Sequence, residues 1–195
     1  MLSAAGKAGP DRVAGGEGRA VGSAGYLHAE SDGMTNPDAV VVAAQLLRSE
    51  AGASPLERVR AKAALFAEEM TLHHHPPLPA DGLIKGAELA RVSEGQAAAL
   101  CKAVPDLANV KLTMTVEGSR VRVESTDQGT GPNGEPIELR GHMVLEVRGG
   151  RIVGMDAYWE EDGASRTLLT EVLARGGFDL PPEARAVYDG ISTDM

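Results

Sequence analysis

From Val110 to Trp159 the apolar residues fall at every second position, and this pattern limits the fold more than any other feature of the chain. Val110, Leu112, Met114 and Val116 alternate with polar residues, and Glu117-Gly118 turns the chain into Val121 and Val123. Pro132-Asn133-Gly134 marks a second turn, followed by Ile137, Leu139, Gly141, Met143, Leu145 and Val147 on one face. Gly149-Gly150 leads into Arg151–Glu160, with Val153, Met155, Ala157 and Trp159 in phase. A period of two sends successive side chains to opposite faces of a strand. Consecutive strands joined by tight turns pair antiparallel. The result is a long sheet with one apolar face, which something else must cover.

Helices supply the cover. Asn36-Pro37 combines a capping side chain with proline in the first turn, and Val40, Val41, Ala44 and Leu47 recur at helical spacing until Gly52. Ser54-Pro55-Leu56-Glu57 reads as a capping box, with Leu56, Val59, Ala63 and Phe66 as the stripe of a second helix. Pro76, Pro77 and Pro79 exclude a long helix over 71–79, so a short strand and a turn are expected there. A third helix spans about 86–103, ending before Pro105, and a last one about 164–175. The expected order is α-α-β-α-β-β-β-β-α. It defines an α+β fold in which a cone-shaped, curved antiparallel sheet wraps three helices and leaves a conical cavity suited to a small ligand.

Composition removes several functions. A net charge of -9, with 19 Lys+Arg against 28 Asp+Glu, argues against nucleic-acid binding, which needs a basic face. A lone Cys101 excludes a disulfide framework and a cysteine zinc site. No apolar run reaches the roughly 20 residues of a membrane span. Residues 1–33, nearly half Gly and Ala, cannot offset the entropy of ordering and are expected to be a disordered leader. That leader lacks the basic start and apolar stretch of a signal peptide. Met34 is a candidate initiator. Residues 34–178 then form the domain and 179–195 a C-terminal tail, in a protein expected in the cytoplasm.

Phe66-Ala67-Glu68-Glu69 and Leu72-His73-His74-His75-Pro76-Pro77-Leu78-Pro79 resemble the helix-to-strand passage of limonene-epoxide hydrolases. Pro105-Asp106-Leu107, Gly129-Thr130, Gly150-Arg151-Ile152-Val153 and Tyr158-Trp159-Glu160 are similar to SnoaL-like polyketide cyclases. Both groups belong to the nuclear transport factor 2 and ketosteroid isomerase superfamily. The resemblance covers about residues 36–165 and implies that superfamily's fold and a homodimer paired through the convex sheet face. It does not imply one activity, since this fold hosts enzymes, binders and scaffolds.

Aligned without gaps, the Arg/Asp/Asp set of the epoxide hydrolases falls on Glu124, Thr126 and Ala157. Ala157 cannot act as a base, so epoxide hydrolysis is disfavoured. His73 and His75 fall on the water-holding positions, and on a strand they share a face, with His74 opposite. His73, His75 and Glu124 are therefore expected as a proton-transfer set facing apolar walls that include Met143, Met155 and Trp159. Thr126 and Ala157 would complete the substrate pocket. Asp156 is a further catalytic candidate, because SnoaL-like cyclases carry an acid–base aspartate on the corresponding strand. Alternation places Asp156 on the face away from Met155 and Ala157, which a bulge would reverse. The direction of Asp127 is open. His73, His75 and Glu124 could also assemble a two-His-one-carboxylate metal set, but the resemblance implies none. No cofactor motif stands in a strand-to-helix context.

The expected function is cofactor-free acid–base cyclisation or isomerisation of a hydrophobic carbonyl compound. The alternative is a non-catalytic ligand-binding or dimeric scaffold protein of the same fold.

Overall fold

A computed structural model describes residues 24–29, 35–75, 77, 81–158 and 164–177. Ten elements follow in the order β1 (Ala24–Ala29), α1 (Pro37–Glu50), α2 (Pro55–Ala63), β2 (Phe66–His75), α3 (Gly86–Ala103), β3 (Ala108–Glu117), β4 (Arg120–Thr130), β5 (Pro136–Arg148), β6 (Arg151–Tyr158) and α4 (Ala164–Arg175). All six strands form one sheet, ordered β1-β3-β4-β5-β6-β2. The middle pairs are antiparallel, as tight turns require, while both edge strands, β1 on β3 and β2 on β6, run parallel. The sheet is curved and unclosed, giving the expected α+β cone.

Residues 24–29, counted with the leader on composition, form the edge strand β1. Leu27 packs on the core, and Gly25 lies where an added Cβ would meet Leu47 at 2.9 Å. The strand gains β3's free hydrogen-bonding edge, a stabilisation that composition does not report. Residues 1–23, 30–34 and 178–195 lie outside the described residues, as does Trp159.

The buried stripe of α1 is Ala39, Val42, Ala43 and Leu46, one position away from the expected stripe, and Val41 is 63% exposed. Both sets satisfy helical spacing; the alanines win because they let the helix approach closely. Asn36 caps this helix by accepting the Asp38 amide at 2.9 Å. The second helix ends at Ala63, so Phe66 opens β2 rather than closing a helical stripe, and β2 is ten residues long. The capping box is complete: the Glu57 carboxylate accepts from the Ser54 amide (2.9 Å) and the Ser54 hydroxyl (2.7 Å). The Ser54 hydroxyl, then its amide, hold the Glu57 carboxyl below its ordinary 4.5. That contribution is therefore present above pH 4.5 and lost as pH falls through the depressed value.

The main core joins α1 to the inner face of the sheet through Leu46, Met70, Leu112, Met114, Val121, Leu145 and Ile152. A second cluster, Val104, Leu107, Ile137, Leu139 and Val172, seats α4. Where α3 meets β2, Gly86 has φ +47 and an added Cβ would lie 2.5 Å from the Glu68 carbonyl oxygen. The expected result of Gly86→Ala is a loss on the order of 2 kcal/mol in denaturant unfolding, from left-handed backbone strain and that collision. Gly118→Ala, with positive φ but open space around it, should lose less.

Candidate functional site

A cavity of about 360 Å³ opens between the inner face of the sheet and helices α2, α3 and α4. Its size falls within the roughly 300–1,000 Å³ of small-molecule sites. Leu72, Leu89, Val92, Leu100, Leu139, Met143, Met155 and Ala157 make most of the wall apolar. Polar side chains interrupt it, Arg140, His142 and Tyr158 among them, and three further groups are each placed by a separate piece of local structure.

His74 reaches the cavity because β2 pairs with β6 in the register Leu72↔Met155 and His74↔Ala157. The segment after the prolines returns along the free edge of β2, with the Gly82 amide donating to the Leu72 carbonyl at 3.1 Å and a bridge between Thr71 and Lys85. That return sets Asp81 beside His74. One Asp81 oxygen accepts the His74 backbone amide at 2.8 Å, and the other lies 2.6 Å from Nδ1. With side chains only 16% and 11% exposed, the pair is largely shielded from water.

Arg58, from the inner face of α2, forms the second group by pairing with Asp127 on β4. Asp127 also accepts from the Asn109 amide at 3.0 Å. A register shift between Asn109 and Lys111 puts Asn109 on the buried side of β3, next to that carboxylate. One turn along α2, Lys62 forms the third group. Its Nζ stands 3.4 Å from Glu50 and 3.6 Å from the Met143 sulfur. Ser125, beside Asp127 in phase, has room because Gly141 opposite lacks a side chain; a Cβ there would come within 2.7 Å of its hydroxyl.

The expected catalytic set lies elsewhere. Glu124 is exposed and pairs in register with His142, on the sheet face opposite Val123, Ser125 and Asp127. His73, His75 and Asp156 occupy that same outer face. There His75 Nε2 lies 2.9 Å from Asp156, and its ring stacks on Tyr158, which in turn stacks on His142; Tyr158 and His142 also line the cavity. Thr126 is also out of phase with the cavity, contributing its carbonyl to Asn109 at 3.3 Å. Met143, Met155 and Ala157 line the cavity. The structure thus corrects the expected placement of His73, His75, Glu124 and Thr126, and the cause is strand parity; Asp156 keeps the outer face that alternation gives it, which corrects its candidacy as a cavity catalyst. Val121 and Val123 face inward, so 125 and 127 follow and 124 and 126 cannot. Met70 and Leu72 likewise select His74. The gap-free alignment to the epoxide hydrolases overrode a parity that the apolar residues already carried. Among the described residues, no three His, Cys, Asp or Glu side chains are grouped to hold a metal ion.

Comparison with known proteins agrees with this fold. The family model for the SnoaL-like domain matches residues 57–155, just over half of the chain. The chain belongs to the SnoaL-like domain family. Two solved structures resemble this SnoaL-like domain in fold. A Bacillus cereus protein assigned as a polyketide cyclase aligns with a TM-score of 0.51 at 18% identity, covering 77% of this chain and 91% of that one. A Jannaschia protein assigned as a SnoaL-like polyketide cyclase aligns with a TM-score of 0.51 at 17% identity, covering 69% and 95%. No curated protein matches the chain. The matched span of the SnoaL-like domain includes Arg58, Lys62, His74, Asp81 and Asp127, and also Arg140 and His142, which line the same cavity.

Burial decides the weight of the ion pairs. Arg58 and Asp127 are each 12% exposed, whereas Arg60 and Glu94 are 62% and 40% exposed. Arg58→Ala strands a buried carboxylate and should destabilise by about 3–5 kcal/mol in chemical denaturation. Arg60→Ala should cost about 1 kcal/mol or less. Equal losses would mean that the Arg58 pair is solvated.

Proposed function

We propose that this SnoaL-like domain is an acid–base enzyme that enolises a hydrophobic carbonyl compound and directs the enolate to cyclisation or isomerisation. The observation that carries this reading is the His74–Asp81 dyad on the wall of an apolar cavity. A carboxylate holding Nδ1–H fixes the imidazole tautomer in which Nε2 carries the lone pair, and it stabilises the imidazolium formed on proton uptake.

The step balances within the protein and its ligand. Nε2 takes a proton from the carbon beside the carbonyl, the C–H electron pair becomes the C=C bond of the enolate, and the carbonyl π pair moves to oxygen. The enolate carbon then attacks a second carbonyl of the same molecule, closing a ring as that carbonyl's π pair moves to its oxygen, which takes the proton back from the imidazolium. In an unsaturated ketone the dienolate is instead reprotonated by the imidazolium at its γ-carbon, moving the double bond. An apolar wall favours this chemistry because it excludes water that would protonate the enolate early. Family membership supports the reaction class, and no cofactor is needed for it.

The test uses benzoylacetone, an apolar β-dicarbonyl, in D₂O with exchange at the central carbon followed by proton NMR. The wild-type protein should accelerate exchange over buffer, and His74→Ala should lower that acceleration about a hundredfold to ten-thousandfold. His75→Ala, at a side chain that does not itself line the cavity, should retain it. Absence of acceleration, or equal loss in His75→Ala and His74→Ala, would contradict the assignment.

A further inference from the structure

The cationic side of α2 is not used by the dyad. Arg58 and Lys62 are four residues apart, which places them on one face of the helix, and both line the cavity. Neither spends its full hydrogen-bonding capacity in the bonds seen among the described residues. Arg58 pairs with Asp127 through a terminal nitrogen, while its buried Nε has no hydrogen-bond partner among the described residues. Lys62 lies within ion-pair range of Glu50 but outside hydrogen-bonding geometry, and its other contact is the Met143 sulfur, a weak acceptor. Side chains 12% exposed in both cases leave these donors in a water-poor site, where each unmade hydrogen bond costs free energy that a ligand acceptor restores.

We propose that Arg58 and Lys62 form the oxyanion-binding edge of this cavity, receiving the carbonyl oxygen of an apolar ketone or β-dicarbonyl and holding the negative charge of its enolate. The inference rests on the acid–base reading and deepens it: His74 takes the proton, and α2 takes the charge left on oxygen. Asp127 and Glu50 keep the two cations from repelling each other when the cavity is empty of anion. Charged donors already fixed in place need no rearrangement as the oxygen becomes anionic, which is the condition for effective electrostatic stabilisation. The ligand class follows from the pairing of an apolar wall with a cationic edge: an acceptor oxygen on an apolar body, not a polyanion.

The test reads charge stabilisation without any reaction. 4-Nitrophenol, whose phenolate mimics an enolate and absorbs in the visible, is titrated with pH in the presence of saturating protein. 4-Nitroanisole, which cannot ionise, serves as the neutral control for cavity binding. Bound nitrophenol should show an acid dissociation constant raised about tenfold or more over the free dye, the effect of a nearby opposite charge. Lys62→Met alone would strand Glu50, so the paired variants Lys62→Met with Glu50→Gln, and Arg58→Met with Asp127→Asn, are used after melts confirm folding. Each pair should remove most of the shift and leave nitroanisole affinity unchanged. An unshifted dye on the wild-type protein, failure of both compounds to bind, or a shift retained in both paired variants would overturn the proposal. A shift lost in His74→Ala but kept in both paired variants would assign the charge to the imidazolium, overturning this inference while leaving the acid–base reading intact. A shift present without benzoylacetone exchange would support the oxyanion edge and contradict the dyad's role.

Discussion

The pairing of β2 with β6 governs the chemistry of the cavity. β2 enters the sheet as an edge strand, parallel to β6, after a register shift between Phe66 and Thr71. From Thr71 onward the register is continuous, so Leu72 and His74 are fixed on the side of Met155 and Ala157. A slip of one residue would send His74 to the outer face and bring His73 or His75 inward. The return of residues 81–85 along the other edge of β2 locks this choice, since it both pairs Thr71 with Lys85 and delivers Asp81 to His74. The same alternation on β4 carries Asp127 inward. Two strands and one returning loop thus place His74, Asp81 and Asp127, while α2 supplies Arg58 and Lys62 and β5 supplies Arg140.

Those groups survive in an apolar setting because none stands alone. Arg58 meets Asp127, Lys62 meets Glu50, and His74 meets Asp81, with Asn109 adding a second bond to Asp127. Pairing offsets the desolvation that an isolated buried ion could not bear. It also sorts the cavity by function. The dyad on β2 can accept a proton, α2 presents cationic donors, and most of the remaining wall is hydrocarbon. A carbonyl compound with an acidic C–H fits that order of groups.

Much of the fold was written in the period-two pattern from Val110 onward. The strands, their turns and the need for covering helices follow from alternation and turn chemistry, and β3 to β6 pair as adjacent antiparallel neighbours. The β1 strand was not readable, because Ala-Gly-Tyr-Leu-His-Ala owes its order to the free edge of β3 rather than to its own composition. The parallel partnership of β2 and β6 is a long-range pairing with no local signature. At the site, Met143, Met155 and Ala157 could be read from phase alone. Asp127 and His74 could have been, had Val121-Val123 and Met70-Leu72 been extended by two residues. Asp81 had no signal, since only the folded return after the prolines brings it to β2. Arg58 and Lys62 were hidden in an ordinary amphipathic helix, where charge usually means solvent.

Nitrogen-15 NMR of the histidine imidazoles tests the central claim, that His74 is a cavity base held by Asp81, most directly. The account predicts that His74 is Nδ1-protonated when neutral, with a hydrogen-bonded Nδ1 proton far downfield that disappears in Asp81→Asn and persists in Asp156→Asn. A neutral His74 protonated on Nε2, or a ring whose signals match exposed His73 and ignore Asp81→Asn, would contradict it.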